Sequence, residues 1–133
     1  MNIAVYPEGE QIEALRGLAD DAPVVMLNML KFKAEAESPH EGKSGRDAYM
    51  VYADAMREIV EAAGGRFLFS GTADLQVIGQ SDSDFDVVAL VEYPSKAAFL
   101  EVAFDPRVAE IGVHRAAGLE GQWLVACTEQ RDG

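Results

Sequence analysis

The chain has 133 residues, 49% of them hydrophobic and 26% charged, which suits a single globular domain over residues 1–133. Its 23 acidic and 11 basic side chains give a formal charge of −12, a balance that repels nucleic-acid phosphates and anionic membrane surfaces. A single cysteine, Cys127, excludes an internal disulfide, and its apolar setting predicts a buried, inert thiol.

The first residues, Met1 to Pro7, show no basic segment ahead of a long apolar one, so no signal peptide is expected. No apolar run approaches the roughly 20 residues of a membrane helix, and a cytoplasmic protein is the expectation. Over residues 8–20, Ile12, Leu15 and Leu18 recur at offsets of three, which predicts a short amphipathic helix. A strand follows from Val24 to about Lys33. Its run Val24-Val25-Met26-Leu27-Asn28-Met29-Leu30 is apolar on both faces, yet it carries Asn28 in the middle and Lys31 near the end. A buried polar side chain without a partner costs about 1–3 kcal/mol, so Asn28 needs either the fold or a ligand to satisfy it.

Residues 34–45 are nearly all polar or small and read as a surface loop, either a lid or a mobile segment. Arg46 to Ala63 is the strongest helix: Tyr49, Tyr52, Met56, Ile59, Val60 and Ala63 form one apolar stripe, and Gly64 suits a left-handed cap. Arg66–Gly71 reads as a strand, with Leu75–Gly79 continuing or following it. A polar turn at 80–84 then leads to a strand from Phe85 to Tyr93, forming a hairpin. A helix starts at Pro94-Ser95 and runs through Ala103, a further turn begins at Asp105-Pro106, and the last strand is Gln122–Thr128.

Without the first helix the order is strand, helix, strand, strand, helix, strand over residues 23–128, the split βαβ pattern of a ferredoxin-like α+β fold. Its four-stranded antiparallel sheet carries both helices on one face. Val24, Met26, Leu30 and Phe32 point one way and Val25, Leu27 and Met29 the other; Val88 and Leu90 likewise oppose Val87, Ala89 and Val91. Both faces are apolar in their middles, so the second face needs a cover, and a second copy packed sheet against sheet supplies one. A homodimer is expected.

The strings PVVMLNMLKFK at 23–33, GRDAYMVYADAM at 45–56, GGRFLFSG at 64–71, DVVALVEYPSKAAF at 86–99 and HRAAGLEGQWLV at 114–125 resemble an uncharacterised bacterial family. It is the domain of unknown function numbered thirteen-thirty, within the dimeric α/β-barrel superfamily. The likeness covers roughly residues 20–128. It implies a ferredoxin-like protomer, two sheets paired into a barrel, and a pocket in each protomer, with no established reaction. Related branches of that superfamily include cofactor-free monooxygenases, lactone isomerases, haem enzymes and ligand-binding regulators.

Five residues are the candidates for chemistry. The Asn28 amide can orient a carbonyl or carboxylate, or can bond its own backbone surroundings. Tyr49 and Tyr52 share a helix face; packing explains their rings, while buried hydroxyls still need partners. Arg115 suits a carboxylate, either of a substrate or of one of the chain's many acidic residues. His114 is the tentative proton shuttle, with a structural or exposed histidine as the plainer reading. Lys31 points away from Asn28 and ranks below it. Asp82 to Asp86 lacks the glycine and glutamate of a calcium loop, with Asp86 set to meet Arg115 or Arg66. No metal-ligand spacing links His40 to His114. No metal, no resident cofactor and no phosphate-binding loop is expected. These residues suit a small-molecule pocket. One reading is a cofactor-free isomerase or monooxygenase acting on a small organic acid or carbonyl compound; the alternative is a non-catalytic ligand-binding or sensing dimer.

Overall fold

The computed structural model describes residues 3–18, 22–80 and 84–130. In chain order the elements are α1 (Gly9–Arg16), β1 (Val24–Phe32), α2 (Gly45–Ala62), β2 (Arg66–Thr72), β3 (Val87–Tyr93), α3 (Lys96–Ala103), α4 (Pro106–Gly118) and β4 (Leu119–Cys127). The strands lie in the order β2-β3-β1-β4, each antiparallel to its neighbour. This is a ferredoxin-like α+β fold, with an additional N-terminal helix.

Register decides which side chains meet the helices. Val24 pairs with Tyr93 and Met26 with Val91, and directly opposed residues of antiparallel strands share a face. These four are buried with Val60 of α2 and Val102 of α3, while Leu15 of α1 packs against the same cluster. Local chemistry starts each main helix. Ser44 Oγ accepts from the Asp47 amide (3.1 Å), Ser95 Oγ from the Ala98 amide (3.0 Å), and Asp105 Oδ1 from the Arg107 amide (2.8 Å). Gly64, at φ +86°, turns the chain after α2 as its sequence position predicts. α2 and α4 approach most closely at two glycines: a Cβ on Gly45 would stand 2.6 Å from the Gly118 carbonyl oxygen.

Several boundaries differ from the sequence expectation, each for a physical reason. Leu75–Gly79 forms no strand, because the β2–β3 ladder ends at Thr72 opposite Val87 and leaves this segment no strand to bond. Leu75, Val77 and Ile78 are 81–89% exposed there. β3 starts at Val87 rather than Phe85. β4 starts at Leu119, three residues before Gln122, since a bulge between Lys31 and Phe32 lets Leu119 pair with Phe32. The turn at Asp105-Pro106 opens a full helix that continues to Gly118, so His114 and Arg115 lie on α4 rather than on a loop. The ends of the expected N-terminal helix (Ala19, Asp20) and of the 80–84 turn (81–83) fall outside the described residues.

The sheet's outer face carries Val25, Leu27 and Met29, with Val88 and Leu90 on β3, Phe69 on β2, and Trp123 and Val125 on β4. Phe69 is 55% and Val125 45% exposed. Cys127 also lies on this face, half-buried rather than buried, because it opposes Val25 on the side without helices. Among the described residues no helix is long and apolar enough to cross a membrane.

Candidate functional site

Asn28 opposes Ala89 and Leu124 and therefore lies on the inner face, beneath the helices. Its Nδ2 donates to the Met26 carbonyl at 3.2 Å, two residues back on its own strand. Its Oδ1 accepts from Gln122 Nε2 at 3.5 Å, the long limit of a hydrogen bond. Gln122 in turn accepts, through Oε1, from Arg115 Nη2 at 2.8 Å. An amide–amide–guanidinium chain thus links the middle of β1, the start of β4 and the last turn of α4. Gln122 is the member that sequence reasoning missed. Its signal was the register: it opposes Leu30, two residues from Asn28 on the same face.

The N-terminal segment holds this chain from outside. Ala4 and Gln122 exchange backbone hydrogen bonds (2.9 and 3.4 Å), closing part of the free edge of β4. Ile3 packs where a Cβ on Gly121 would sit. Two residues on, the Tyr6 ring lies under the Arg115 guanidinium, 5.7 Å from Cζ to the ring centroid.

α2 contributes the tyrosines. Tyr49 sits between Phe32 (centroids 5.3 Å apart) and Tyr52 (5.4 Å). Burial raises both phenols above their ordinary value, Tyr49 further because Tyr52 stands beside it, while the nearby Arg115 charge pulls each back down. Burial likewise pushes Tyr93, beneath them, up to about 12. Near neutral pH Tyr49 and Tyr52 are neutral donors. Neither hydroxyl bonds to a described residue, and among the described residues no buried side-chain polar atom lacks a partner. Each hydroxyl therefore keeps at least slight contact with solvent. The inner face is open here as well: Leu124, next to Asn28, is 45% exposed.

Arg115 has no carboxylate partner among the described residues, although the sequence holds 23 acidic side chains. Asp86, one of the two expected partnerships, instead accepts from the Phe32 amide through Oδ2 (2.8 Å), and Arg66 pairs with Glu92 (2.8 Å). Lys31, on the outer face, donates to the Asp84 carbonyl (3.1 Å).

Asn28 is linked to Arg115 through Gln122, and Tyr49 and Tyr52 lie within reach of the Arg115 charge; His114 does not join this group. Its Nδ1 meets Nε2 of His40 at 2.7 Å, turned toward the 34–44 loop. Among the described residues no group of three or more His, Cys, Asp or Glu could hold a metal ion. Two surface depressions lie away from these residues. One of about 410 Å³ on the outer face is lined by Pro23, Val25, Arg66, Leu68 and Cys127, and one of about 160 Å³ lies between α2 and α3.

The family described as a domain of unknown function (DUF1330) matches residues 44–127. A crystal structure of a protein of unknown function from Rhodopseudomonas palustris is similar at 31% identity, covering 98% of this chain and all of that one, with a TM-score of 0.88. Its methylated form gives 32% identity, 100% and 99% coverage, and a TM-score of 0.87. Two more distant structures share the fold alone. A hydroxynitrile lyase from Passiflora edulis has 12% identity, a TM-score of 0.60, and coverage of 84% and 97%. A dimeric ferredoxin-like protein of unknown function from Jannaschia sp. CCS1 has 18%, 0.54, and 80% and 99%. No functionally curated protein matches the chain.

Proposed function

Since this chain belongs to the family described as a domain of unknown function (DUF1330), we propose its role from its own site: it is a homodimer that binds a small organic carboxylate in the crevice between β1, β4, α2 and α4. The observation that carries this reading is Arg115. A half-buried guanidinium in a chain of charge −12 is hydrogen-bonded to a neutral amide, leaving donors for a carboxylate. Gln122 and Asn28 fix its orientation, and the Tyr49 and Tyr52 hydroxyls offer donors to a second oxygen of the ligand. The dimer reading rests on the apolar outer face and on the dimeric state of the Jannaschia protein of similar fold.

A binding role is favoured over the cofactor-free isomerase or monooxygenase reading. Of the five candidates, the one imidazole, His114, is engaged by His40 and does not join the Asn28–Gln122–Arg115 group. Thermal-shift and calorimetric titration against acetate, benzoate and salicylate tests the proposal. At about a hundredfold excess over Kd, binding to the native state adds about 2.7 kcal/mol of stability. Stabilisation by at least one acid, lost in Arg115→Ala and reduced in Arg115→Lys, is expected. Equal stabilisation of Arg115→Ala, or none in the natural chain, overturns it.

A further inference from the structure

The His40–His114 contact belongs to no part of the candidate site, and it joins residues 74 positions apart. His40 is 9% exposed, although it lies in a loop whose neighbours Pro39 and Glu41 are exposed. The two rings meet at 60° with centroids 4.9 Å apart, so that His40 Nε2 faces His114 Nδ1. Nitrogens at 2.7 Å accommodate one proton between them. A neutral pair fits, with one ring donating. A singly charged pair fits better, since an imidazolium donating to a neutral imidazole is a charge-assisted bond. A doubly charged pair does not fit, because both nitrogens then carry hydrogens and both rings carry positive charge.

The contact fastens the outer part of a loop whose base is held otherwise. The Ala36 amide donates to the Lys43 carbonyl (2.9 Å) and the Glu37 amide to the Ala117 carbonyl (3.0 Å). Lys33 Nζ reaches both the Ala116 carbonyl and Glu37 (3.1 Å each). Ala36 is buried against Ala48 of α2 and Ala117 of α4. None of these base contacts depends on an imidazole.

We propose that His40 and His114 form a pH-sensitive latch that keeps the 34–44 loop closed on α4 while the pair holds at most one added proton, and releases the loop's outer part when both rings are charged. The surrounding charges favour release at the second proton. Lys43, beside His40 on the loop, opposes it, and Glu41 only partly offsets that. On α4, Glu110 stands four residues before His114, and Arg115 is turned toward Gln122. The Lys33–Glu37 pair at the loop base is internally compensated, and α2 meets the region through Gly45 and Ala48, which are uncharged. Burial, Lys43 and His114 together hold the His40 imidazole below its ordinary value. An unfolded histidine titrates near 6.5, so the unlatched state takes up protons first as pH falls from there, and closure is lost through the lowered value of the folded His40 imidazole.

Cleavage after Glu41 by a glutamate-specific endopeptidase, followed by mass spectrometry and normalised to the denatured chain at each pH, reads the latch directly. Cleavage rising about tenfold or more between about pH 7.5 and 5 is expected, as a local opening requires. His114→Phe, which cannot make the bond, is expected to be cleaved fast at both ends of that range. Histidine nitrogen shifts of the natural chain give a readout that no variant's folding can confound: a coupled pair titrates in two separated steps. Cleavage that does not change with pH, the same pH dependence in His114→Phe, or two independent titrations near 6.5 overturns the proposal.

Discussion

At the scale of single residues, the proposed site combines side chains that hold the fold with side chains that hold little of it. Asn28→Leu removes a donor from the Met26 carbonyl and leaves the Gln122 amide without its acceptor. A loss of about 1–2 kcal/mol in urea unfolding is expected, since a half-buried amide loses its partner. Tyr49→Phe and Tyr52→Phe remove hydroxyls that bond no described residue, and are expected to stay within about 0.5 kcal/mol of the natural stability. If carboxylate affinity nevertheless falls in either, the hydroxyl serves the ligand rather than the core. The raised phenols also fix a pH dependence: Tyr49 and Tyr52 stay protonated well above their ordinary value. Carboxylate affinity is therefore expected to be flat from about pH 7 to 10 in calorimetric titrations.

At the scale of elements, the tightest point is the α2–α4 crossing. A Cβ on Gly118 would stand 2.8 Å from the Tyr49 amide nitrogen and press on the Gly45 carbonyl, and these are backbone atoms with no rotamer to yield. Gly118→Ala is expected to cost more than about 3 kcal/mol, by forcing apart the two helices that position Tyr49 and Arg115. Chemical denaturation measures it, and a near-neutral result would mean the crossing is looser than its geometry indicates. The same crossing explains why α4 persists past Gly112 to Gly118. Packing against α2 outweighs the roughly 1 kcal/mol that an interior glycine costs a helix.

At the scale of the whole molecule, the outer face and the alkaline limit are the informative tests. A dimer mass by light scattering is expected for the natural chain, with Phe69→Asp or Val125→Asp shifting it to monomer, because each places a charge on the apolar face. A monodisperse natural monomer would refute the sheet-to-sheet reading. Tyr49, Tyr52 and Tyr93 are all raised in the folded chain, whereas an unfolded tyrosine ionises near 10. Their contribution to stability is complete below about pH 10 and is lost as pH rises from there through the folded values. Alkaline unfolding that coincides with tyrosinate absorbance is the expected signature.

The elements with strong periodicity were legible in the amino-acid order. β1, α2 and the β2–β3 hairpin follow from alternation or a helical stripe, and so does the order that specifies a ferredoxin-like sheet, because side-chain period is a local property of the chain. The polar types of the proposed site were legible too, as Asn28 in an apolar strand and as Tyr49 and Tyr52 three apart on one helix. What joins them was not. Gln122 reaches Asn28 and Arg115 only through the β1–β4 register, with a bulge at Lys31/Phe32 shifting its last rungs, and register depends on which strand becomes the neighbour. The partner of His114 is 74 residues away, beyond any local pattern, and the strand expected at Leu75–Gly79 failed for want of a strand to bond. Local spacing determined the elements and their faces. The tertiary structure alone decided which side chains meet, since contacts between distant residues are set by how the elements pack.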